Sequence, residues 1–393
     1  MRHLLLFDVD GVLVEAHGYL RALQDTVAHV SCQMGVGSHP PTEPEVRAFE
    51  AHGLTSEWDS APACVAALLL ARVQQDPDLA LSSDWPETLA ALGSHPLALS
   101  HPDYGALAAR IGARLREGGE AAQGVRDVLW AAAQDLPVPQ RNAFGILLDA
   151  LLGVTYDFDR APITQHFQHL VLGHEGVAAT YGIEPLFASP SYLQAYDVPQ
   201  LAPSMQQRVC ELVETPEAGA VIYTARPSLP PVDAGVSARG YSPEAETARA
   251  LVGLDGLPLI GLGRLAWLAL QRGETTAALV KPSPVQALAA IGAALSGEES
   301  ASLLAALTFY RTETLVAPLS NLGEAVVHVF EDTPGGLRAV RGAVDFLKAA
   351  GVPVTWQPYG IAPAGGEKAR LMAEMAVPVF PTINDALRAL PLQ

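Results

Sequence analysis

The chain opens on a short apolar run, His3-Leu4-Leu5-Leu6-Phe7, that stops at Asp8-Val9-Asp10-Gly11. An uninterrupted run of this length suits a strand buried on both faces of a parallel sheet. Such a strand needs partners on both edges, because its backbone N–H and C=O groups have no water to turn to. The next strands of that kind are expected only from Ala220-Val221-Ile222-Tyr223 onward. Whatever lies between is therefore an excursion out of the sheet.

The excursion has its own periodicity. From about Tyr19 to Val213 apolar residues recur at helical spacing: Leu20, Leu23, Val27 and Val30, then Leu107, Ile111 and Leu115, then Phe144, Leu147, Leu148 and Leu151. Turn-rich breaks separate these runs, among them Ser38-His39-Pro40-Pro41-Thr42, Ser82-Ser83-Asp84-Trp85-Pro86, Leu136-Pro137-Val138-Pro139 and Ala188-Ser189-Pro190-Ser191. The reading is a helical bundle inserted into a sheet domain, with the insert at 16–199 and the sheet domain at 1–15 and 200–393. No internal repeat is found.

After residue 214 short strands alternate with helices again. Strands are expected at Ala220–Tyr223, Leu257–Ile260, Ala325–Phe330, Val352–Trp356 and Val377–Phe380, and helices at Glu244–Leu251, Pro284–Leu295, Leu337–Ala349 and Glu367–Met375. The fold class is thus α/β: a doubly wound, Rossmann-like parallel sheet with an inserted α-helical domain. The 393 residues suit such a layout, since at roughly 100–200 residues per domain they allow about two or three units.

Composition narrows the function classes. Lys and Arg number 24 against 42 Asp and Glu, for a formal charge of −18, which disfavours nucleic acid and anionic membranes as partners. Hydrophobic residues reach 49% and charged ones only 17%, the balance of a folded chain with large cores. Cys32, Cys64 and Cys210 form no C-x-x-C pair, so neither a disulfide framework nor a zinc knuckle is indicated. The N-terminal apolar run is too short for a secretory signal, and no stretch approaches the roughly 20 residues of a bilayer span. A cytoplasmic protein is the expectation.

Four polar sites fall at strand ends or helix starts, where ligands bind in open α/β sheets. In chain order they are Asp8-Val9-Asp10-Gly11, Thr224-Ala225-Arg226-Pro227, Lys281-Pro282-Ser283-Pro284 and Glu331-Asp332-Thr333-Pro334-Gly335-Gly336. Taken singly each has a plain structural reading: turn carboxylates, a strand-end hydroxyl, a solvated lysine, and a helix cap by Asp332 or Thr333. Order, spacing and strand context agreeing at four places outweigh those readings.

This order resembles the haloacid dehalogenase-like superfamily, whose four motifs are an aspartate pair, a Thr or Ser, a Lys and an acidic pair. The resemblance covers the first dozen residues and most of positions 218 to 345. It implies Asp8 as nucleophile, Asp10 as general acid and base, Thr224 and Lys281 as phosphoryl holders with Ala225 in the same phosphate-binding loop, and Asp332 as a magnesium ligand assisted by Glu331. Asp8 and the Asp10 backbone carbonyl complete the implied Mg²⁺ set. The chemistry suits these residue types. A carboxylate attacking an anionic phosphoryl group needs a hard, oxygen-ligated cation beside it. An aspartyl-phosphate divides one hard displacement into two easier ones. A lysine and a hydroxyl suit the equatorial oxygens on which charge gathers.

A helical insert after the first motif resembles the cap of superfamily members in which the cap excludes water and chooses the substrate. Gly53-Leu54-Thr55-Ser56-Glu57-Trp58-Asp59 resembles a diverged form of an asparagine-rich Trp-Asp loop from one branch, without its asparagines, and Leu172-Gly173 and Tyr181-Gly182-Ile183 echo that branch. Glu57, Trp58 and Asp59, with Arg226, are the candidate specificity residues, although Trp58 reads equally well as an anchor of the helical core. His166, His169 and His174 lack a carboxylate or cysteine partner and are poor metal candidates. Asp10 argues against a dehalogenase, in which no alcohol leaves, and the absence of lysine from 16–60 argues against a phosphonatase.

The expectation is a Mg²⁺-dependent phosphatase for a small phosphorylated metabolite. A phosphomutase is the enzymatic alternative, because Phe330-Glu331-Asp332-Thr333-Pro334-Gly335-Gly336 is similar to that branch too. A non-catalytic binding protein on the same fold is the other. The net charge of −18 cannot itself draw in an anionic ester, so Mg²⁺, Lys281 and Arg226 are expected to reverse the field locally.

Overall fold

The structure is a computed structural model describing residues 1–392. The chain divides into two compact units. One comprises Met1–Ala16, Ala179–Gly182 and the chain from Asp197 onward; the other comprises His17–Ala178 and Ile183–Tyr196.

The first unit is built on a parallel sheet. Its strands are β1 (Arg2–Phe7), β4 (Ala218–Tyr223), β5 (Leu259–Ile260), β6 (Ala325–Glu331), β7 (Val354–Ile361) and β8 (Val379–Phe380), in the order β5-β4-β1-β6-β7-β8. β1 lies inside the sheet, with Phe7 in register with Ile222 on one side and Phe330 on the other. The opening run finds both its partners far along the sequence, which is why it had to be apolar on both faces. Leu4 and Leu6 point into one core with Val221, Val327 and the helices Pro284–Ser296 and Pro334–Ala349. Leu5 and Phe7 point into the other, beneath helices Pro203–Val213, Glu244–Leu251 and Ile383–Arg388. All four side chains are almost wholly removed from water, and each contributes roughly 1.5–3 kcal/mol.

Two features of this unit differ from the periodicity reading, and each has a local cause. Helix Pro203–Val213 carries the same apolar spacing as the bundle helices, yet Val209 and Leu212 pack against Leu5 and Ile222 of the sheet. Strand β7 runs past Trp356 to Ile361 through Pro358. The Gly360 N–H donates to Pro378 in the β8 direction, so the missing Pro358 N–H faces the same edge, where β8 has not yet begun.

The chain leaves and re-enters this unit through a two-stranded antiparallel ribbon, β2 (Val14–Glu15) with β3 (Val198–Pro199). Between them lie helices Gly18–Gln33, Glu43–Ala51, Glu57–Gln75, Trp85–Ser94, Tyr104–Arg116, Ala121–Ala132, Val138–Leu152, Pro162–Tyr181, which is broken by a kink at Gly173, and Tyr192–Tyr196. Local chemistry sets their starts: Thr42 and Glu45 form a capping box, and Asp84 and Asp103 accept the N–H groups of Glu87 and Ala106. Helix Glu57–Gln75 is buried nearly all round and serves as the bundle's axis. No helix among the described residues is long and apolar enough to cross a membrane.

Candidate active site

From β1 the chain proceeds to β4 on one side and later to β6 on the other, so the carboxyl end of β1 is a topological switch point, the place where open α/β sheets bind ligands. With Phe7 in register with Ile222 and Phe330, the parallel pairing brings Asp8 level with Tyr223 and Glu331, and Thr224 follows one residue beyond. The Asp8 N–H continues the ladder by donating to the Phe330 carbonyl at 3.0 Å. Beyond it the chain turns tightly, with the Val9 carbonyl accepting the N–H groups of Val12, Leu13 and Val14. Gly11 sits in this turn at φ +73°, and a Cβ there would run into the Asp332 carboxylate.

Asp8, Glu331 and Asp332 form one buried group, each offering a carboxylate oxygen within 4.8 Å of the others. Lys281 lies among them, its Nζ 2.9 Å from Asp8 Oδ1 and 3.0 Å from Glu331 Oε2, and 4.9 Å above the centre of the Tyr223 ring. Burial by itself would push the Lys281 ammonium down, but Asp8 and Glu331 overcome it and hold the group well above the ordinary lysine range. Glu331 is fixed from its other oxygen as well: Oε1 accepts the Thr333 hydroxyl at 2.7 Å and the Thr333 N–H at 3.2 Å. Thr333 in turn caps helix Pro334–Ala349 by accepting the Gly336 N–H. Burial, then the Asp8 charge, raises Glu331 to about 8 against the pull of Lys281. Burial raises Asp332 to about 6, opposed chiefly by Lys368, whose ammonium pairs with Asp332 Oδ2.

A second charged group lies beside the first. Arg226 Nε donates to both Asp10 oxygens at 2.9 and 3.0 Å, and its Nη2 reaches Asp10 Oδ1 at 2.5 Å and Asp197 Oδ2 at 2.9 Å. Both Arg226 and Asp197 are buried. Arg226, expected from the sequence to help offset an incoming anion, ties Asp10, after β1, to Asp197, which immediately precedes β3. Thr224 is 1% exposed, and its hydroxyl accepts the Arg226 N–H at 3.2 Å. Ala225, between them, is exposed.

Three contributors went unread in the sequence. Gln286 is wholly buried in the first turn of helix Pro284–Ser296; its amide donates to the Thr224 and Ile260 carbonyls at 2.8 and 3.1 Å, and its Oε1 accepts the Lys281 N–H at 3.0 Å. One side chain thus fixes the Thr224 loop against the Lys281 loop. The only sequence signal was a glutamine in an otherwise apolar helix. Asp197 and Lys368 carried no signal beyond their charge, because neither adjoins a motif.

The donor set suits a hard divalent cation: all its ligand atoms are carboxylate oxygens, with no imidazole or thiolate. Among the described residues no other group of three His, Cys, Asp or Glu side chains converges in this way.

The remaining candidates lie in the helical unit and are engaged there. Trp58 packs on Tyr19 and edge-on to Phe167, and its indole N–H donates to Gln168. Asp59 is buried and accepts the hydroxyls of Thr155 at 3.2 Å and Tyr156 at 2.8 Å, while Glu57 opens the helix. The histidines do not converge: His169 Nε2 lies 2.9 Å from the Phe187 carbonyl, His174 Nδ1 2.7 Å from that of Ser189, and His166 stacks on His29.

No family model matches the chain, and no curated protein matches it. A search of solved structures finds similarity to the phosphatase Tt82 from Thermococcus thioreducens, at 14% identity and a TM-score of 0.45, covering 98% of this chain and 99% of that one.

Proposed function

We propose that this chain is a Mg²⁺-dependent phosphatase of the haloacid dehalogenase-like type, hydrolysing a small phosphate monoester through a phosphorylated Asp8. The observation that carries the reading is the gathering of Asp8, Lys281, Glu331 and Asp332, drawn from three distant sequence segments, into one buried cluster at the switch point.

Asp8, Glu331 and Asp332 would hold the cation, which when bound offsets the charge of the phosphoryl oxygens. Lys281 gives a fixed ammonium to an equatorial oxygen, and Thr224, whose hydroxyl oxygen already accepts the Arg226 N–H, has its own proton to donate to another. An Asp8 oxygen attacks phosphorus as the ester P–O bond breaks, and Asp10 gives a proton to the leaving alkoxide. In the second step Asp10 takes a proton from the attacking water, the Asp8–phosphorus bond breaks, and inorganic phosphate leaves. Arg226 holds Asp10 in place for both transfers. Substrate choice is assigned to the helical unit that follows the first motif.

The test is a panel of phosphate monoesters assayed for phosphate release with and without Mg²⁺. Hydrolysis that needs Mg²⁺ and is lost in Asp8→Asn supports the reading. Turnover surviving in Asp8→Asn removes the covalent step, and conversion of a hexose 1-phosphate without phosphate release replaces the phosphatase by a mutase.

A further inference from the structure

The two lysines of the site differ in kind. Lys281 is nearly buried, bridges Asp8 and Glu331, and lies over the Tyr223 ring. It is a fixed part of the framework. The Lys368 side chain is 57% exposed and reaches inward from helix Glu367–Glu374, just past the glycine-bearing loop after β7, to pair with the buried Asp332.

We propose that Lys368 is a displaceable countercharge: its ammonium occupies the electrostatic place of the cation at Asp332 and turns out to solvent when a divalent metal binds. This rests on the metal reading above and concerns how the site is regulated. The argument is one of balance. Three buried carboxylates with Lys281 alone would carry an excess of negative charge removed from water, which is costly. A divalent ion relieves it when present, and an ammonium on a flexible stem can do so when it is not. Because the Lys368 stem is more than half in water, its head loses little on swinging away, whereas Lys281 would leave two carboxylates behind. Lys368 therefore competes with the metal for the same oxygen. The metal gains by the difference between its own field and that of one lysine, so the empty site is stabilised and metal affinity is moderated.

The experiment titrates metal-stripped protein with Mg²⁺, and separately with Mn²⁺, by calorimetry at fixed ionic strength. Lys368→Gln is expected to tighten metal binding about two- to fivefold, the worth of one largely exposed ion pair, and to melt at lower temperature than wild type in chelator. Lys368→Arg is expected to bind metal as wild type does. Lys348→Gln removes the same formal charge from an exposed position on helix Pro334–Ala349 and controls for net charge. Unchanged or weaker binding in Lys368→Gln overturns the proposal, as does equal tightening in Lys348→Gln. If neither wild type nor Lys368→Gln takes up metal, the metal reading itself falls, and the lysine's role with it.

Discussion

Both units bury polar groups, and they do it differently. In the helical unit buried polar groups are met one at a time by local partners: His169 and His174 reach backbone carbonyls, Asp59 receives two hydroxyls, and the Arg72 guanidinium reaches the His95 carbonyl and pairs with Asp76, while single atoms such as Thr26 Oγ1 and His169 Nδ1 find none among the described residues. At the end of β1, three carboxylates are pressed together, and burial raises Glu331 and Asp332 because their neighbours do not fully compensate them. Burial met by local partners specifies a fold, whereas converging, incompletely compensated carboxylates are the arrangement that a bound cation would complete. Substitutions in the two regions should therefore separate activity from stability.

The largest expected effect is at Asp8. Asp8→Asn should lower turnover at least about a thousandfold, while its melting temperature stays within a few degrees of wild type. A large fall in stability together with the activity would show that the cluster is structural and would break the contrast.

Next come the glycines of helix Pro334–Ala349. In a helix, Gly→Ala ordinarily stabilises by up to about 1 kcal/mol, and Gly335→Ala, with no atom closer than the Thr333 hydroxyl at 4.0 Å, should do so. At Gly336 a Cβ would fall on the Glu331 carboxylate. Gly336→Ala should therefore reverse the sign, costing about 1–3 kcal/mol in denaturant unfolding and most of the activity. Stabilisation at both positions would mean that Glu331 is free to move.

These residues mark how far the sequence could be read. The four motifs were legible because strand ends and helix starts are local, and a parallel sheet forces the ends of neighbouring strands together. Helices Leu262–Arg272 and Glu299–Thr312 have no counterpart among the helices expected from the sequence, and the second, buried on most sides, lacks a clear polar face. Gln286, Asp197 and Lys368 became visible only in three dimensions, since their roles depend on which loops meet. In the helical unit the pattern announced helices but not which faces they bury, and Trp58, open to two readings in sequence, packs between Tyr19 and Phe167.

Acid should act on the helical unit through His166. Burial, then His29 and His169, lower its pKa to about 3, whereas the unfolded chain takes up that proton near 6.5. Between those values the unfolded state binds more protons, so stability present above pH 6.5 is lost as pH falls toward 3, about 3 kcal/mol of it from this residue by pH 4. His166→Gln should flatten that part of the curve in urea unfolding followed at pH 7, 5.5 and 4. An unchanged slope would mean that His166 is protonated within the fold.

The smallest effect is expected at Asp59, and it is the sharpest test of the contrast because the sequence made this residue a specificity candidate. Burial raises its pKa despite the hydroxyls of Tyr156 and Thr155. A carboxyl raised in the fold favours folding at low pH, where it is neutral, and loses that contribution as pH rises through its folded value. Asp59→Asn keeps an acceptor for one hydroxyl, offers the other an N–H to accept, and removes the titration, so it should change stability at pH 8 by less than about 1 kcal/mol, in the stabilising direction. The ratio of kcat/KM values across a set of esters should be unchanged. A shift in that ratio at constant stability would place Asp59 in substrate selection, and the helical unit would then hold a functional carboxylate that its satisfied hydrogen bonds conceal.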